Sequence, residues 1–110
     1  MNPGNYRHKI TIQERSTGQD SYGAPLEFWT DLATPWASIE PLSGRELYAA
    51  QELNSEINVR IRMRYRPGVI SSMRINYGTR VFDILAVVDI EERHRVLELL
   101  CKEMMPSGEG

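Results

Sequence analysis

The chain is poor in the residues that build most catalytic and metal centres. Its 110 residues include one cysteine and two histidines, and neither His8 nor His94 has a second histidine or a cysteine at metal-ligand spacing. Cys101 cannot form an internal disulfide, and its alternation with Leu97 and Leu99 favours a small buried side chain over a reactive thiol. Glycine-rich phosphate loops and serine nucleophile motifs are also missing. The sequence therefore predicts neither an enzyme nor a cofactor site.

Long apolar runs and an excess of positive charge are absent as well. No apolar stretch approaches the ~20 residues that span a bilayer, and residues 1–7 lack the apolar core of a signal peptide. We therefore expect synthesis in the cytoplasm and no membrane partner. The 13 basic and 15 acidic residues give a formal net charge of -2, whereas free nucleic-acid-binding domains usually carry a basic excess.

What the chain does have is an unbroken two-residue alternation over residues 57–66. Apolar residues alternate there with Asn58 and four arginines, which are Arg60, Arg62, Arg64 and Arg66. Successive side chains of a strand point to opposite faces, so this segment predicts a strand with one apolar and one cationic face. Arginine pairs with carboxylates in a forked geometry better than lysine does. The four arginines are therefore candidates for a protein interface, with a solvated face or phosphate contact as the alternatives.

The rest of the sequence predicts further short strands around one modest core. Alternating apolar residues mark strands at 8–14, 26–32, 36–40, 73–77, 81–88 and 96–102, with a long loop at 15–25 and a tight turn at 78–79. The expected fold class is mainly β, a small antiparallel β-barrel of about six strands or a sandwich. We expect a single domain over residues 1–105, followed by a disordered tail at 106–110.

One short helix is expected in the long connection between strands, at residues 41–56. Ser43 followed by Glu46 has the form of a capping box, and Leu47, Ala50 and Leu53 follow at helical spacing. A helix of about ten residues is marginal on its own in water. We therefore expect that this helix either docks on another surface or forms only in a suitable context, which makes it the most mobile element of the chain.

The order and spacing of these segments resemble the bacteriophage head-tail joining family, the small head-closure, stopper or adaptor proteins of long-tailed phages. The resemblance runs over nearly the whole chain. It is carried by RHKITIQ at 7–13, DSYG at 20–23 with Trp29, WASIEPLSGRE at 36–46, IRMRYR at 61–66, the hairpin at 75–84 and LELLC at 97–101.

The resemblance implies a structural role at the head-tail interface of a phage or prophage virion, after synthesis in the bacterial host cytoplasm. It implies a β-barrel that is a monomer in isolation and forms a ring of twelve copies below the portal, closing the DNA exit channel. The implied partners are other copies of itself, portal or adaptor proteins, a tail-completion or tail-tube protein, and genomic DNA that passes without sequence-specific binding. In some relatives the long connection projects toward the channel. The matching candidates here are Ser43, Arg45, Glu46, Leu47, Tyr48, Gln51 and Glu52.

A small β-barrel that binds nucleic acid is the alternative. Such a module needs positive charge and exposed aromatic rings for stacking, but Tyr65 alternates into the apolar face, and Trp29 and Trp36 fit a core equally well. In a ring, one patch of each subunit meets a different patch of the next. The arginines would then face acidic residues of a neighbouring copy, for which Glu52, Glu91 and Glu92 are candidates.

Overall fold

The chain folds as a curled antiparallel sheet with one α-helix, shown by a computed structural model that describes residues 6–19 and 21–104. The strands are β1 (His8–Lys9), β2 (Thr11–Gln19), β3 (Pro25–Ala33), β4 (Trp36–Pro41), β5 (Val59–Arg64), β6 (Arg74–Tyr77), β7 (Arg80–Asp89) and β8 (Val96–Met104). Helix α1 (Gly44–Leu53) lies between β4 and β5, and a short 3-10 turn (Ile90–Glu92) joins β7 to β8. The tail expected at 106–110 lies outside the described residues.

The first strand closes this sheet into a small barrel. The order along the sheet is β1-β4-β5-β8-β7-β6-β2-β3, and β1 and β2 are consecutive parts of one strand that bends at Ile10, whose N–H donates to the Pro35 carbonyl. Because β1 pairs with β4 while β2 pairs with β6, six strand positions surround the core, and β3 lies outside them. The mainly β barrel class is confirmed.

Strand β5 shows how the two-residue period builds this core. Val59, Ile61 and Met63 are buried, while the arginines between them point to the outer face. The interior also holds Ile10, Ile12, Ile75, Phe82, Ile84, Leu99 and Cys101, none of which is more than 1% exposed. Burial raises the pKa of the Cys101 thiol, as expected for a small hydrophobic residue of the core.

The expected loop at 15–25 is wrong, because β2 continues through it. Ser16 pairs with Phe28 and Arg15 with Trp29 across a two-stranded ribbon, so that only residues 21–24 form a turn between β2 and β3 among the described residues. The Oγ atom of Ser16 and the Oγ1 atom of Thr30 lie 2.8 Å apart. Polar cross-strand pairs such as this one stabilise a ribbon, but they leave no apolar alternation in the sequence.

Helix α1 is confirmed, but its capping box is wrong. Ser43 occupies the N-cap position without a side-chain capping bond, and Gly44 adopts a φ of 58°, which favours glycine at the turn into the helix. The Glu46 carboxylate instead accepts a hydrogen bond from Arg60, whose charge makes it a stronger donor than a solvated backbone N–H. Within the described residues, no helix has the length and apolar character needed to cross a membrane.

Candidate interaction surface

Three of the four arginines lie on the outer face of β5, between β4 and β8, and the fourth follows the end of that strand. Across β4, Arg60 is paired with Glu40 and Arg62 with Ser38, and across β8, Arg62 is paired with Glu98. Arg64 ends β5, and Arg66 follows the strand. The predicted cationic face therefore exists, but its two halves differ.

The first half is neutralised within the molecule by carboxylates. Arg60 donates through Nη2 to Glu40 at 2.8 Å and through Nη1 to Glu46 at 2.9 Å, and its side chain is only 15% exposed. Arg62 donates through Nε to Glu98 at 3.0 Å. These two arginines are therefore held by the chain's own acids.

These contacts change the proton affinities of the groups involved. Burial tends to lower the pKa of Arg60, but the hydrogen bonds and charges of Glu46 and Glu40 outweigh it, so that this pKa is raised. The hydrogen bond from Arg60, and then its charge, hold the pKa of Glu46 below its usual value. Arg60 and Glu46 are therefore both charged at neutral pH, and Arg60 links β4, α1 and β5.

The second half of the arginine face has no such partners. Arg64 and Arg66 are exposed, and among the described residues no carboxylate forms an ion pair with either of them. Arg64 lines an open pocket of about 610 Å³ together with Tyr6, Pro35 and Trp36. We call these four residues the Trp36 pocket.

The Trp36 pocket combines an exposed aromatic ring, a cation and a buried hydroxyl. The Trp36 side chain is 55% exposed, whereas Tyr6 is only 9% exposed. The Tyr6 Oη atom is buried, and within the described part of the chain it has no hydrogen-bond partner. Burial raises the pKa of Tyr6, and the charges of Arg62 and Arg64 oppose that rise.

Sequence reasoning missed Tyr6 and Trp36 as parts of this surface. A signal for Trp36 was present, because Trp36, Ser38 and Glu40 alternate with Ala37 and Ile39. That period assigns Trp36 to the same outer face as Glu40. Tyr6 precedes β1, where too few residues remain to define a period.

The seven candidate channel-facing residues lie on α1 or at its N-cap. Leu47 and Gln51 face the barrel, where the Gln51 amide donates to the Ile57 carbonyl at 3.2 Å, and Ala50 is the buried residue of the helix. Arg45, Tyr48 and Glu52 share the opposite, exposed helix face, and Ser43 and Glu46 are also exposed. The helix thus exposes one face to solvent and packs a small apolar area of the other face against the barrel.

The candidate acids occupy two different places. Glu52 lies on the exposed face of α1, whereas Glu91 and Glu92 belong to the 3-10 turn between β7 and β8. Glu91 pairs with Arg93 at 3.4 Å. Both Glu91 and Glu92 have a positive φ, 58° and 56°, a conformation that costs free energy for residues other than glycine.

Trp29 and Tyr65, two aromatic rings that the sequence offered for base stacking, are partly covered by neighbouring side chains. The Trp29 ring has the guanidinium carbon of Arg74 at 4.3 Å from its centroid. Tyr65 is half-buried and lies 4.6 Å from the His94 ring, centroid to centroid. Neither ring is a free platform for a nucleic-acid base. Among the described residues, no group of three or more histidines, cysteines and acids is placed to hold a metal ion.

Comparison with known proteins gives a family match over most of the sequence. The profile of a family described as phage head completion protein matches residues 1–104. Head completion protein gp7 of Enterobacteria phage HK97 is 29% identical over 107 residues, covering 93% of this chain and 96% of that protein. Head completion protein gp16 of Bacillus phage SPP1 is 26% identical over 95 residues, covering 86% of this chain and 87% of that protein.

Two solved structures share the fold. The solution structure of a protein from Shigella flexneri 2a has a TM-score of 0.76 and 33% sequence identity, with each chain covered completely. A chain of the virion of a native gene transfer agent particle has a TM-score of 0.59 and 18% identity, covering 89% of this chain and 94% of that chain. The second likeness is one of fold alone.

Proposed function

Because this chain belongs to the phage head completion protein family, we propose that it forms a ring below the portal, closes the DNA exit channel and docks the tail. Membership of the family makes it a structural protein of the phage head and not an enzyme. The resemblance to head-tail joining proteins drawn from the sequence is thereby confirmed. The family match over residues 1–104 is the observation that carries the proposal. One domain, residues 1–105, would perform this role in the virion.

The uncovered half of the arginine face supports assembly with other chains. Arg64, Arg66 and the exposed Trp36 offer cations and an aromatic ring that no described carboxylate or side chain occupies. Arginine and tryptophan are enriched at the centres of protein interfaces. The interface that we first assign to all four arginines is thus best supported at its Arg64 end.

Helix α1 is the element that we assign to the channel. It is attached to the barrel by the Glu46–Arg60 pair, the Gln51–Ile57 hydrogen bond and a small apolar cluster in which Ala50 is buried and Leu47 is half-buried. A short helix held in this way can leave the barrel at a small cost in free energy. We propose that residues 41–56 face the lumen and move between open and closed states.

The proposed partners are portal or adaptor proteins on one side and a tail-completion or tail-tube protein on the other. Genomic DNA would pass through the ring without sequence-specific binding, and the net charge of -2 suits a wall that does not retain it. The nucleic-acid-binding alternative has less support, because Arg60 and Arg62 are engaged with carboxylates and the rings of Trp29 and Tyr65 are partly covered.

The test is to mix the purified chain, a monomer in isolation on this proposal, with a portal–adaptor complex and to image the product by cryo-electron microscopy. We expect a ring of twelve copies below the adaptor, with residues 41–56 at the lumen in at least one state. The portal–adaptor complex without the chain is the control. A complex that never acquires the ring contradicts the proposal, and a ring whose residues 41–56 stay away from the lumen in every state contradicts the channel role.

A further inference from the structure

The geometry points to a specific contact between copies: we propose that the Trp36 pocket of one chain receives the Ile90–Glu92 turn of a second copy. This inference rests on the ring proposed above and names the two surfaces that would join its subunits. It concerns the end of the arginine face that the chain leaves uncovered. The Arg60 end is already occupied by the chain's own acids.

The chemistry of the Trp36 pocket defines what it can bind. Arg64 offers a cation that forms no ion pair with a carboxylate of the described residues. Trp36 offers an aromatic side chain that is 55% exposed. Tyr6 lines the wall of the pocket, and its buried Oη has no partner within the described residues. The fitting occupant therefore carries a carboxylate beside an apolar side chain.

The Ile90–Glu92 turn carries that combination on its surface. Glu92 is exposed, and in the described part of the chain no cation forms an ion pair with it, whereas Glu91 is engaged with Arg93. Ile90, in the same turn, is half-buried and supplies an apolar neighbour. The positive φ of Glu92, 56°, fixes the carboxylate in a turn that has little backbone freedom.

The barrel topology places the two surfaces at one end of the barrel. Trp36 begins β4 and Arg64 ends β5, while Val96 begins β8 and Asp89 ends β7. Because these strands are antiparallel neighbours, all four residues lie at the same end of the barrel. Trp36 lies three strand positions from β7 among the six that surround the core, whereas Arg64 is paired with Val96, where β8 begins after the turn.

A closed ring requires two different surfaces on each subunit that fit one another. Each subunit then offers its pocket to one neighbour and its turn to the other, a head-to-tail contact that repeats around the axis. A segment of an adaptor or tail protein could also carry a carboxylate beside an apolar group. The test below separates that occupant from a second copy.

Charge exchange across the contact is the decisive experiment. Arg64→Glu, Glu92→Arg and the double variant are each mixed with the portal–adaptor complex, and the fraction of complexes that carry a ring is counted at several chain concentrations. Each single variant should need a chain concentration at least about tenfold higher to form the ring, because a repulsion between like charges replaces an ion pair. The double variant should restore assembly to near the wild-type concentration, since the pair is rebuilt with opposite polarity.

Asp31→Arg is the matched control. It reverses an exposed acidic charge on β3, the strand outside the six positions that surround the core, and should leave ring formation by the subunit contact unchanged. Thermal unfolding of each free variant checks folding, which the exposure of Arg64 and Glu92 favours. If a further variant, Glu52→Arg, blocks the ring while Glu92→Arg does not, the acid that meets Arg64 is on α1 and our inference is wrong.

The remaining outcomes separate this inference from the proposed function. Single variants that assemble like the wild type overturn the contact, although the ring itself stands. Failure of both single variants without rescue by the double variant also overturns it and assigns the Trp36 pocket to another protein. A wild-type chain that leaves the portal–adaptor complex bare overturns the ring, and with it any contact between its subunits.

Discussion

At the scale of single residues, Arg60 and Arg66 show how differently two arginines of one repeating pattern can be used. Arg60 is 15% exposed and contacts carboxylates from β4 and α1, and Glu98 on β8 lies 3.8 Å away. Arg66 follows the end of β5 and is exposed. Removing the Arg60 guanidinium would leave three carboxylates close together without their shared cation, whereas removing that of Arg66 would leave no described group unpaired.

We predict that Arg60→Met lowers the free energy of unfolding by about 2 kcal/mol, because charged hydrogen bonds are lost and the acids repel one another. Urea denaturation at neutral pH measures this as a lower midpoint. Arg66→Met is the matched control and should change the free energy by less than about 0.5 kcal/mol. Equal losses for the two variants would show that the Arg60 contacts add nothing to stability.

The sequence could predict the face of Arg60 but not its partners. A period of two assigns the arginines to one side of a strand, and this outcome depends only on neighbours in the chain. Glu40 and Glu46 are 20 and 14 residues away from Arg60 in the sequence, so their approach depends on the pairing of β4 with β5 and on the docking of α1. No local pattern distinguishes the paired Arg60 from the exposed Arg64.

At the scale of elements, α1 depends on one ion pair more than its sequence suggests. The helix buries Ala50, and Leu53 at the end of its apolar spacing is 67% exposed. Without capping bonds at Ser43, the Glu46–Arg60 contact becomes an important tie between the first helical turn and β5. The docking of α1 should therefore respond to the ionisation of Glu46.

We predict that α1 loosens in acid. The pKa of Glu46 is lowered in the folded chain, first by the hydrogen bond from Arg60 and then by its charge. The stability that the Glu46–Arg60 contact gives to α1 is therefore fully present above the ordinary carboxyl pKa of 4.5, and it is lost as the pH falls through the lowered pKa of Glu46 in the folded chain. Amide hydrogen exchange of residues 44–53, corrected for the intrinsic effect of pH, should show reduced protection in this acidic range.

Glu46→Gln supplies the control for that experiment. Its α1 should be less protected at neutral pH and should show little further loss in acid, because the titrating group has gone. Arg80 lowers the pKa of Glu103 through a hydrogen bond and then its charge, with burial acting in the opposite direction. Acid therefore weakens the barrel too, and only the difference between Glu46→Gln and the wild type reports on α1. If the protection of α1 depends on pH in the same way in both proteins, Glu46 does not control the docking of the helix.

The elements also show where local patterns stop being informative. Helix α1 and strands β5 to β8 follow from apolar spacing, because each buries one face against the core. Strand β3 follows from the alternation at 26–32, but the extension of β2 beyond Glu14 does not, because it relies on cross-strand pairs such as Ser16 with Phe28. The bend at Ile10, which closes the barrel, depends on a hydrogen bond to Pro35. Such long-range pairings are set by the whole sheet.

At the scale of the whole molecule, charge is balanced within the fold rather than concentrated for one ligand. The net charge is -2, and two arginines of the cationic strand are paired with acids that the fold supplies. A surface of this kind favours contacts with proteins through a few exposed groups over retention of a polyanion. It also suits a channel component through which DNA must move.

We therefore predict that the isolated chain does not bind DNA at micromolar concentration in about 150 mM salt, a condition under which basic DNA-binding domains still associate through phosphate contacts. Fluorescence anisotropy with single-stranded and double-stranded oligonucleotides measures this directly. Lowering the salt should reveal at most weak binding with a shallow dependence on salt concentration, because the chain has no excess of basic residues. Arg64→Glu should reduce that residual binding, since Arg64 is one of the cations of the strand that no described carboxylate neutralises. Micromolar binding with a steep salt dependence would instead support the nucleic-acid-binding alternative, and its loss in Arg64→Glu would then locate the DNA at the Trp36 pocket.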